Sequence, residues 1–570
     1  MTDVLVLILR RLRAPIITLI SVYAIAIFGL VLMPGTDPDG NPWRLSVFDA
    51  FYIMSYTATT IGFGEVPHPF SYAQRLWMTV SIYLTVIGWA YTLGAIFALA
   101  RHPAFRVALG RYRFEARVRR MTDPFFVVCG YGQSGRRLVS ALDEIGFATV
   151  VVESDPDRAR AHLVLDTQQP SALLIADARA PDVLEAAGVR MRSCAGLVAL
   201  TSGDEVNQSI AIGARVLADN LPVLARVKSP GARETLESVG GVLVVNPFET
   251  FAVNFGMALA QPDVLRLEDW LSGVPGTKPP RRIEAPRGHW VVAGYGRFGH
   301  CAASALEQAG LPFKAIDVDP AQCGEEGILG SALAEQVLRQ AGIEQAVGLI
   351  AGTDSDANNL AIVNNARRLR RRLFVVIRQN QVGNRALIEA ARADVEFVQA
   401  VVMTHEVVQL LTTPLLNRFL MRARRQNAVW AVGVAGRIRD TVGDAVPHTW
   451  ALDCDQVLLG ARRAFVERPE PPLTLAHLLM DPDDRRRSLK AVPLLLLSGG
   501  RDVLLPDEHT VLRPGDRILF AGEAGVEGLQ RHALGDDGAI DYLRTGREPP
   551  RTWLGRLLAA KGPAVAGGAS

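Results

Sequence analysis

The stretch Thr57-Ala58-Thr59-Thr60-Ile61-Gly62-Phe63-Gly64-Glu65 stands between two long apolar runs, and a soluble fold leaves those runs unexplained. The first, Pro15 to Met33, has only Thr18, Ser21 and Tyr23 as polar interruptions. As a helix it measures about 28 Å, the thickness of a bilayer's hydrocarbon core. Arg10, Arg11 and Arg13 precede it and put the N-terminus on the cytoplasmic side. No small-residue cleavage site follows it, so the segment is expected to stay in the chain. The loop Pro34 to Pro42 holds two aspartates and no Lys or Arg, which suits the outer face. Ser46 to Ala58 is apolar and aromatic but too short to cross; with Ser46 as N-cap it reads as a re-entrant helix whose negative C-terminal end faces the stretch Thr57 to Glu65. A second span runs from about Leu76 to Ala100 and contains Gly88 and Gly94. Arg101, Arg106, Arg111, Arg113, Arg117, Arg119 and Arg120 follow, again on the cytoplasmic side.

Two glycines separated by one residue permit dihedrals that a Cβ forbids, and a chain in such dihedrals can turn successive carbonyls to one side. Carbonyls and threonine hydroxyls aimed at one axis replace the water shell of a cation. The stretch closely resembles the selectivity filter of potassium channels, whose common form is Thr-x-Thr-Thr-Val-Gly-Tyr-Gly. The resemblance assigns Thr60, Ile61, Gly62, Phe63 and Gly64 to the filter, with potassium ions bound there, and Glu65 to the outer mouth. Ile61, Phe63 and Glu65 replace the usual Val, Tyr and Asp; Phe63 loses a hydroxyl that braces the filter from behind. In the family a glycine midway along the inner helix acts as a gating hinge, and Gly88 matches it by position. A single chain supplies one filter and two spans, so the resemblance implies four chains around one pore. No helix with an arginine every third residue stands upstream of the pore segment, so no voltage sensor is expected.

With 570 residues the chain is too long for one core. Its net charge of +3 argues against a nucleic-acid-binding protein. The five cysteines are scattered, mostly in or beside apolar runs, and read as reduced buried thiols facing the cytoplasm.

After Pro124 the pattern becomes α/β. The strand Phe125 to Cys129 leads into Gly130-Tyr131-Gly132-Gln133-Ser134-Gly135, then a helical stretch, then the strand Thr149 to Glu153, which ends in an acid. This is the dinucleotide-fold arrangement: glycines admit a phosphate, the helix N-terminus attracts it, and the acid bonds ribose hydroxyls. The pattern recurs in His289 to Ala293, Gly294-Tyr295-Gly296-Arg297-Phe298-Gly299, and Lys314 to Asp317. Thr201, Asp204, Asn207 and Arg226 of the first copy correspond to Thr353, Asp356, Asn359 and Arg378 of the second; Asp177 corresponds to Ser331. A repeat in this detail means two copies of one domain. The candidate ligand residues are Gly130, Gly132, Gly135, Glu153 and Asp177 in the first, and Gly294, Gly296, Gly299 and Asp317 in the second. Glu153 and Asp317 favour an unphosphorylated ribose, hence NAD, NADH, ADP or ATP over NADP. Arg136 and Arg297 lie near the expected phosphates. Gly135 and Gly299 also permit close helix–strand packing, which needs no ligand.

These units resemble RCK domains, the regulators of potassium conductance. The expected fold class is therefore a helical membrane pore domain followed by two Rossmann-like α/β units and a small α+β lobe. The expected divisions are a pore at 1–100, a linker at 101–123, RCK units at 124–261 and 289–423 with a crossover linker at 262–288, a C-terminal lobe at 424–533 and a tail at 534–570. The resemblance implies a homotetrameric, ligand-gated potassium channel in a bacterial inner membrane, both termini cytoplasmic, with eight RCK units forming a ring beneath the bilayer. Calcium remains a candidate ligand through Glu153, Asp155, Asp177, Asp204 and Asp356. The rival readings are a nonselective cation channel, a regulator of potassium uptake and a membrane-tethered NAD-dependent oxidoreductase. His162 and His300 are isolated, and no catalytic constellation accompanies the glycine loops, so the chain reads as a non-enzyme.

Overall fold

The protein is described from a computed structural model covering residues 2–279, 283–324 and 327–546. It forms two compact units, one running from the N-terminus to Thr122 and the other holding nearly all the rest.

In the first unit, α1 (Thr2–Leu32), α2 (Val47–Ala58), α3 (Tyr72–Arg101) and α4 (Pro103–Val118) follow in order. Residues Arg10–Leu32 and Tyr72–Arg101 are long and apolar enough to cross a membrane. The helices pack through small residues: a Cβ on Gly29 would fall 2.1 Å from the Trp77 indole, whose Nε1 donates to the Ala26 carbonyl at 3.0 Å. The short helix α2 starts at Ser46, whose hydroxyl accepts from the Asp49 amide, and buries Ala50, Ile53 and Met54 against Ala26 and Leu30. Ile17, Phe28, Phe48, Ile87 and Phe97 point outward, a surface that water would not tolerate but lipid or a neighbouring copy would. Much of the stretch 101–123 is the helix α4, with Pro103 in its first turn and Glu115 between Arg111 and Arg119.

The second unit is built on two six-stranded parallel sheets and one smaller antiparallel sheet. The first sheet contains β1 (Phe125–Cys129), β2 (Ala148–Glu153), β3 (Ser171–Ile175), β4 (Cys194–Ala199), β5 (Val223–Arg226) and β6 (Val242–Val245), in the order β3-β2-β1-β4-β5-β6. The helices α5 (Gln133–Glu144) and α6 (Asp204–Leu217) follow β1 and β4, and α7 (Pro247–Ala260) and α8 (Pro262–Leu271) follow β6. The second sheet repeats the order with β7 (Trp290–Ala293), β8 (Phe313–Asp317), β9 (Ile328–Leu329), β10 (Gly348–Ala351), β11 (Phe374–Gln379) and β12 (Val395–Val398). After β7 and β10 come α9 (Arg297–Gln308) and α10 (Asp356–Leu369). This is the doubly wound dinucleotide-binding order, with the chain reversing direction between β1 and β4, where ligands enter such sheets. The near-continuous apolar strands are what two covered faces demand: every residue of β1, β2, β5, β7 and β10 is buried.

Each sheet is completed by a helix from the other copy. The helix α7, which closes the first copy, lays Phe248, Phe251, Phe255 and Leu259 on Trp290, Phe298, Ala302 and Leu306 of the second. In return α11 (Gln399–Thr412), which closes the second copy, sets Met403 and Val407 against Leu138, Val139 and Leu142 of α5. The stretch 262–288 differs from a plain linker, because its first ten residues are α8. Pro262 is tolerated in the first turn, where its missing N–H has no intrahelical partner to lose. Val264, Leu267, Trp270 and Leu271 then join the core of the C-terminal lobe, with α12 (Pro414–Ala423) and α13 (Ala428–Val442). That lobe carries β13 (His448–Asp453), β14 (Ala491–Ser498), β15 (Arg501–Leu504) and β16 (Arg517–Gly522), ordered β13-β16-β14-β15. Helix Asp537–Thr545 lies within the stretch read as tail; residues 547–570 lie outside the described residues.

Candidate functional site

Two places carry the sequence-predicted residues. In the first unit, φ is positive at Thr60 (61°), Gly62 (67°) and Gly64 (91°) and negative at the residues between them. Alternation of this kind turns successive carbonyls to one side, and glycine takes two of the three left-handed positions at little cost. A Cβ on Gly62 or Gly64 would meet no atom within 4 Å, so within one chain it is backbone conformation that calls for glycine. Tyr56 holds both ends of this segment to α2. Its carbonyl accepts from the amide of Ile61 at 2.9 Å, and its hydroxyl donates to the carbonyl of Gly64 at 2.6 Å. The Phe63 ring packs edge-on to Tyr56 at 5.4 Å and parallel to Tyr52 at 6.5 Å. The hydroxyl missing from Phe63 thus has a counterpart on Tyr56, which the sequence reading overlooked. Glu65 is not a free charge. It accepts two hydrogen bonds from Arg75 at 2.8 and 3.0 Å and one from the Phe70 amide at 2.8 Å. Gly88 lies mid-way along an unbroken α3 facing α1, where a Cβ would make ordinary contact with Val22 and Leu19 at 3.7–3.8 Å.

In the second unit the three glycines of each loop have three different reasons to be glycine. Gly130 and Gly294 have φ of 100° and 89°, and a Cβ there would press on the backbone of Thr201 or Thr353 at 2.9 or 2.8 Å. A Cβ on Gly135 or Gly299 would collide with the carbonyl of Gly130 or Gly294 at 2.0 or 2.1 Å, so these two bring helix and strand together. Gly132 and Gly296 have unstrained negative φ and nothing within 4 Å. Neither fold nor packing asks for glycine at this second position, which opens on free space.

A cleft of about 650 Å³ opens over the first loop. It brings together Gly130, Gly132, Glu153 and Asp177 with Arg136 and Arg158. Its far wall comes from the second copy: Gln379, Asn380, Val398 and Gln399. Gly294, Gly296, Gly299 and Asp317 lie outside this cleft, on the matching loop of the second sheet. Glu153 accepts from the Tyr131 amide at 2.6 Å and the Asp155 amide at 2.9 Å, and Asp317 does the same for Tyr295 and Asp319. Each acid therefore fixes its glycine loop while keeping lone pairs that can meet a ribose. Asp177 is paired with Arg179, whose Nη2 lies 2.6 Å away; this side-chain bond holds the carboxyl below its usual range.

Other repeated residues are scaffold. Asn207 binds the amide and hydroxyl of Thr201 at 2.9 and 2.7 Å and donates to the Arg226 carbonyl at 2.8 Å. Asn359 makes the same bonds to Thr353 and Arg378. Asp204 and Asp356 accept backbone amides of the following loop, Lys228 and Ser229 in one copy and Asn380 and Gln381 in the other. Asp155 caps the helix that begins at Pro156. Among the described residues no three His, Cys, Asp or Glu side chains gather as a metal site. His162 bonds Ser171 at 2.8 Å, and His300 lies on the Tyr295 ring.

Two apolar helices flanking a short helix and a glycine segment, followed by two dinucleotide-fold units, are the arrangement of a two-span channel with appended nucleotide-fold domains. Comparison with known proteins agrees. Residues 16–102 match the ion channel family, and residues 126–247 and 290–398 each match the TrkA-N domain. Over 263 residues, 45% of this chain and 69% of the relative, it is 24% identical to Potassium channel protein 1 of Methanocaldococcus jannaschii. It is 31% identical to Probable potassium channel protein 2 of the same organism over 113 residues, 18% of this chain and 33% of that one. Among solved structures it is similar to the GsuK channel bound to NAD, at 19% identity and a TM-score of 0.48, covering 93% of this chain and 99% of that one. The chain thus carries a segment that matches the ion channel family and two segments that match the TrkA-N domain, the combination found in its potassium-channel relatives.

Proposed function

We propose that four copies assemble around one axis into a potassium-selective channel of the bacterial inner membrane, opened or closed by a cytoplasmic nucleotide. The alternating φ of residues 60–64 carries the pore half of this reading, because such a backbone can line carbonyls along an axis. The outward apolar faces of α1 and α3 are then covered by lipid and by neighbouring copies. Clustered arginines early in α1, ahead of its apolar stretch, and after α3 support a cytoplasmic side for both termini. The space left by Gly132, above a helix N-terminus and beside Glu153, supports a nucleotide as the regulator. Binding shifts the pore only if the open and closed forms hold the nucleotide with different affinity.

The test is potassium flux into liposomes carrying the purified full chain, with sodium as control and NAD, NADH, ADP, ATP and calcium added in turn. Potassium-selective flux that responds to a nucleotide is expected. Equal sodium flux would replace this reading with a nonselective cation channel. Selective flux indifferent to every addition would leave the pore and remove the regulatory half.

A further inference from the structure

The half of the cleft beyond the glycine loop is rich in cationic side chains. Arg226, at the end of β5, is 8% exposed and lines the cleft. One of its terminal nitrogens donates to the Thr201 carbonyl, while its Nε has no partner among the described residues. Lys228 lines the same wall, its ammonium 3.5 Å from the Ser202 carbonyl. Arg297, which opens α9, and Arg378, stacked over the Phe248 and Phe298 rings, lie within electrostatic reach. None of these four forms an ion pair with a carboxylate among the described residues; of the acids whose charge reaches them, Asp354 and Asp356 act on Arg378, Asp356 is turned to the Asn380 and Gln381 amides, and Asp204 is turned to the Lys228 and Ser229 amides. Burial, then the charges of Arg226 and Arg297, push the Lys228 ammonium down to about 8. Gathering like charges in a half-buried seam is costly unless an anion completes it.

On the nucleotide reading above, we propose that Arg226 and Lys228 form a subsite for a terminal phosphate at the seam between the two α/β copies. The cleft then takes a nucleoside di- or triphosphate in preference to a nicotinamide dinucleotide. A chain of phosphates leaving Gly132 reaches these cations with its charge. Oxidised nicotinamide would bring a positive ring to the same place. Because Gln379 and Asn380 of the second copy close the rim, a phosphate here also joins the two copies.

Binding of AMP, ADP, ATP, NAD, NADH and inorganic triphosphate to the detergent-solubilised full chain, by calorimetry, tests this. Affinity should rise from AMP to ATP, by about tenfold for the phosphate that reaches the cations, since a charge-assisted hydrogen bond is worth that much. Lys228→Gln should remove that gain and leave AMP affinity as it was. Arg226→Gln should do the same; where it unfolds the chain, the Lys228 variant carries the test. Equal affinity for AMP and ATP, tighter binding of NAD than of ADP, or a Lys228→Gln loss shared equally by AMP would overturn the subsite. Inorganic triphosphate binding as well as ATP would overturn its nucleoside part. Failure of every nucleotide, AMP included, would instead strike at the nucleotide reading itself and take the subsite with it.

Discussion

At the scale of single residues, the backbone conformation of Gly62 and the hydroxyl of Tyr56 shape the proposed filter segment. A left-handed residue with a Cβ costs about 1–2 kcal/mol, repeated in each copy around the axis. Gly62→Ala should therefore abolish potassium-selective flux in liposomes; persistent selectivity would refute the filter assignment. Tyr56→Phe keeps the ring and removes the bond to the Gly64 carbonyl, a loss of about 1 kcal/mol per chain. Reversal potentials in planar bilayers should show reduced potassium-over-sodium selectivity with conduction retained, and an unchanged ratio would deny the brace a role. The glycines at 62, 64, 130 and 294 were legible in sequence because a left-handed position leaves its mark as glycine. Tyr56 was not legible, because its partner eight residues on is chosen by tertiary geometry. The same holds for Arg75, which quenches Glu65, and for the unpaired Nε of Arg226. The repeated Thr201, Asn207 and Arg226 were visible as a pattern, yet sequence could not tell a clasp between strands from a ligand site.

At the scale of elements, the strand order could be anticipated, but the exchange of α7 and α11 could not. Their apolar faces announce burial without saying against which copy. Phe251 sits 5.0, 5.1 and 5.7 Å from the rings of Phe298, Phe397 and Phe255. Phe251→Ala should cost about 3–5 kcal/mol, seen as a lowered thermal midpoint of the solubilised chain; a midpoint within error of the parent would mean this face packs elsewhere. Helix α8 offers a pH prediction. Burial, then the like charge of Glu268, push the Asp269 carboxyl from 3.8 up to about 6. The raised value favours the neutral form in the fold, so stability from this group is full below about 3.8 and is lost as pH rises through about 6. Asp269→Asn should stabilise the protein at pH 7 by up to about 3 kcal/mol and flatten the dependence between these limits. Thermal unfolding across pH 4–8 reads this out, and identical curves for the two proteins would show that Asp269 is not so perturbed.

At the scale of the whole molecule, the proposal joins a nucleotide cleft to a pore, and Gly132 is where the two can be separated. It has space beside it and no strain of its own, so Gly132→Asp puts a negative carboxylate where a phosphate would lie without disturbing the strand or helix. Flux should persist while its response to nucleotide disappears. A response equal to the parent's would remove the first copy as the sensor and move attention to Gly296.

The traded helices set a rule for how such a chain can be built or shortened. A chain ending near Ala260 would leave Phe248, Phe251 and Phe255 without a partner sheet and its own α5 without Met403 and Val407. It would have to borrow both from a second molecule, and its folding would depend on concentration. Carried in tandem, the copies meet at the fixed effective concentration of a tether. Half of the pairing problem of any larger assembly is solved before a second chain arrives.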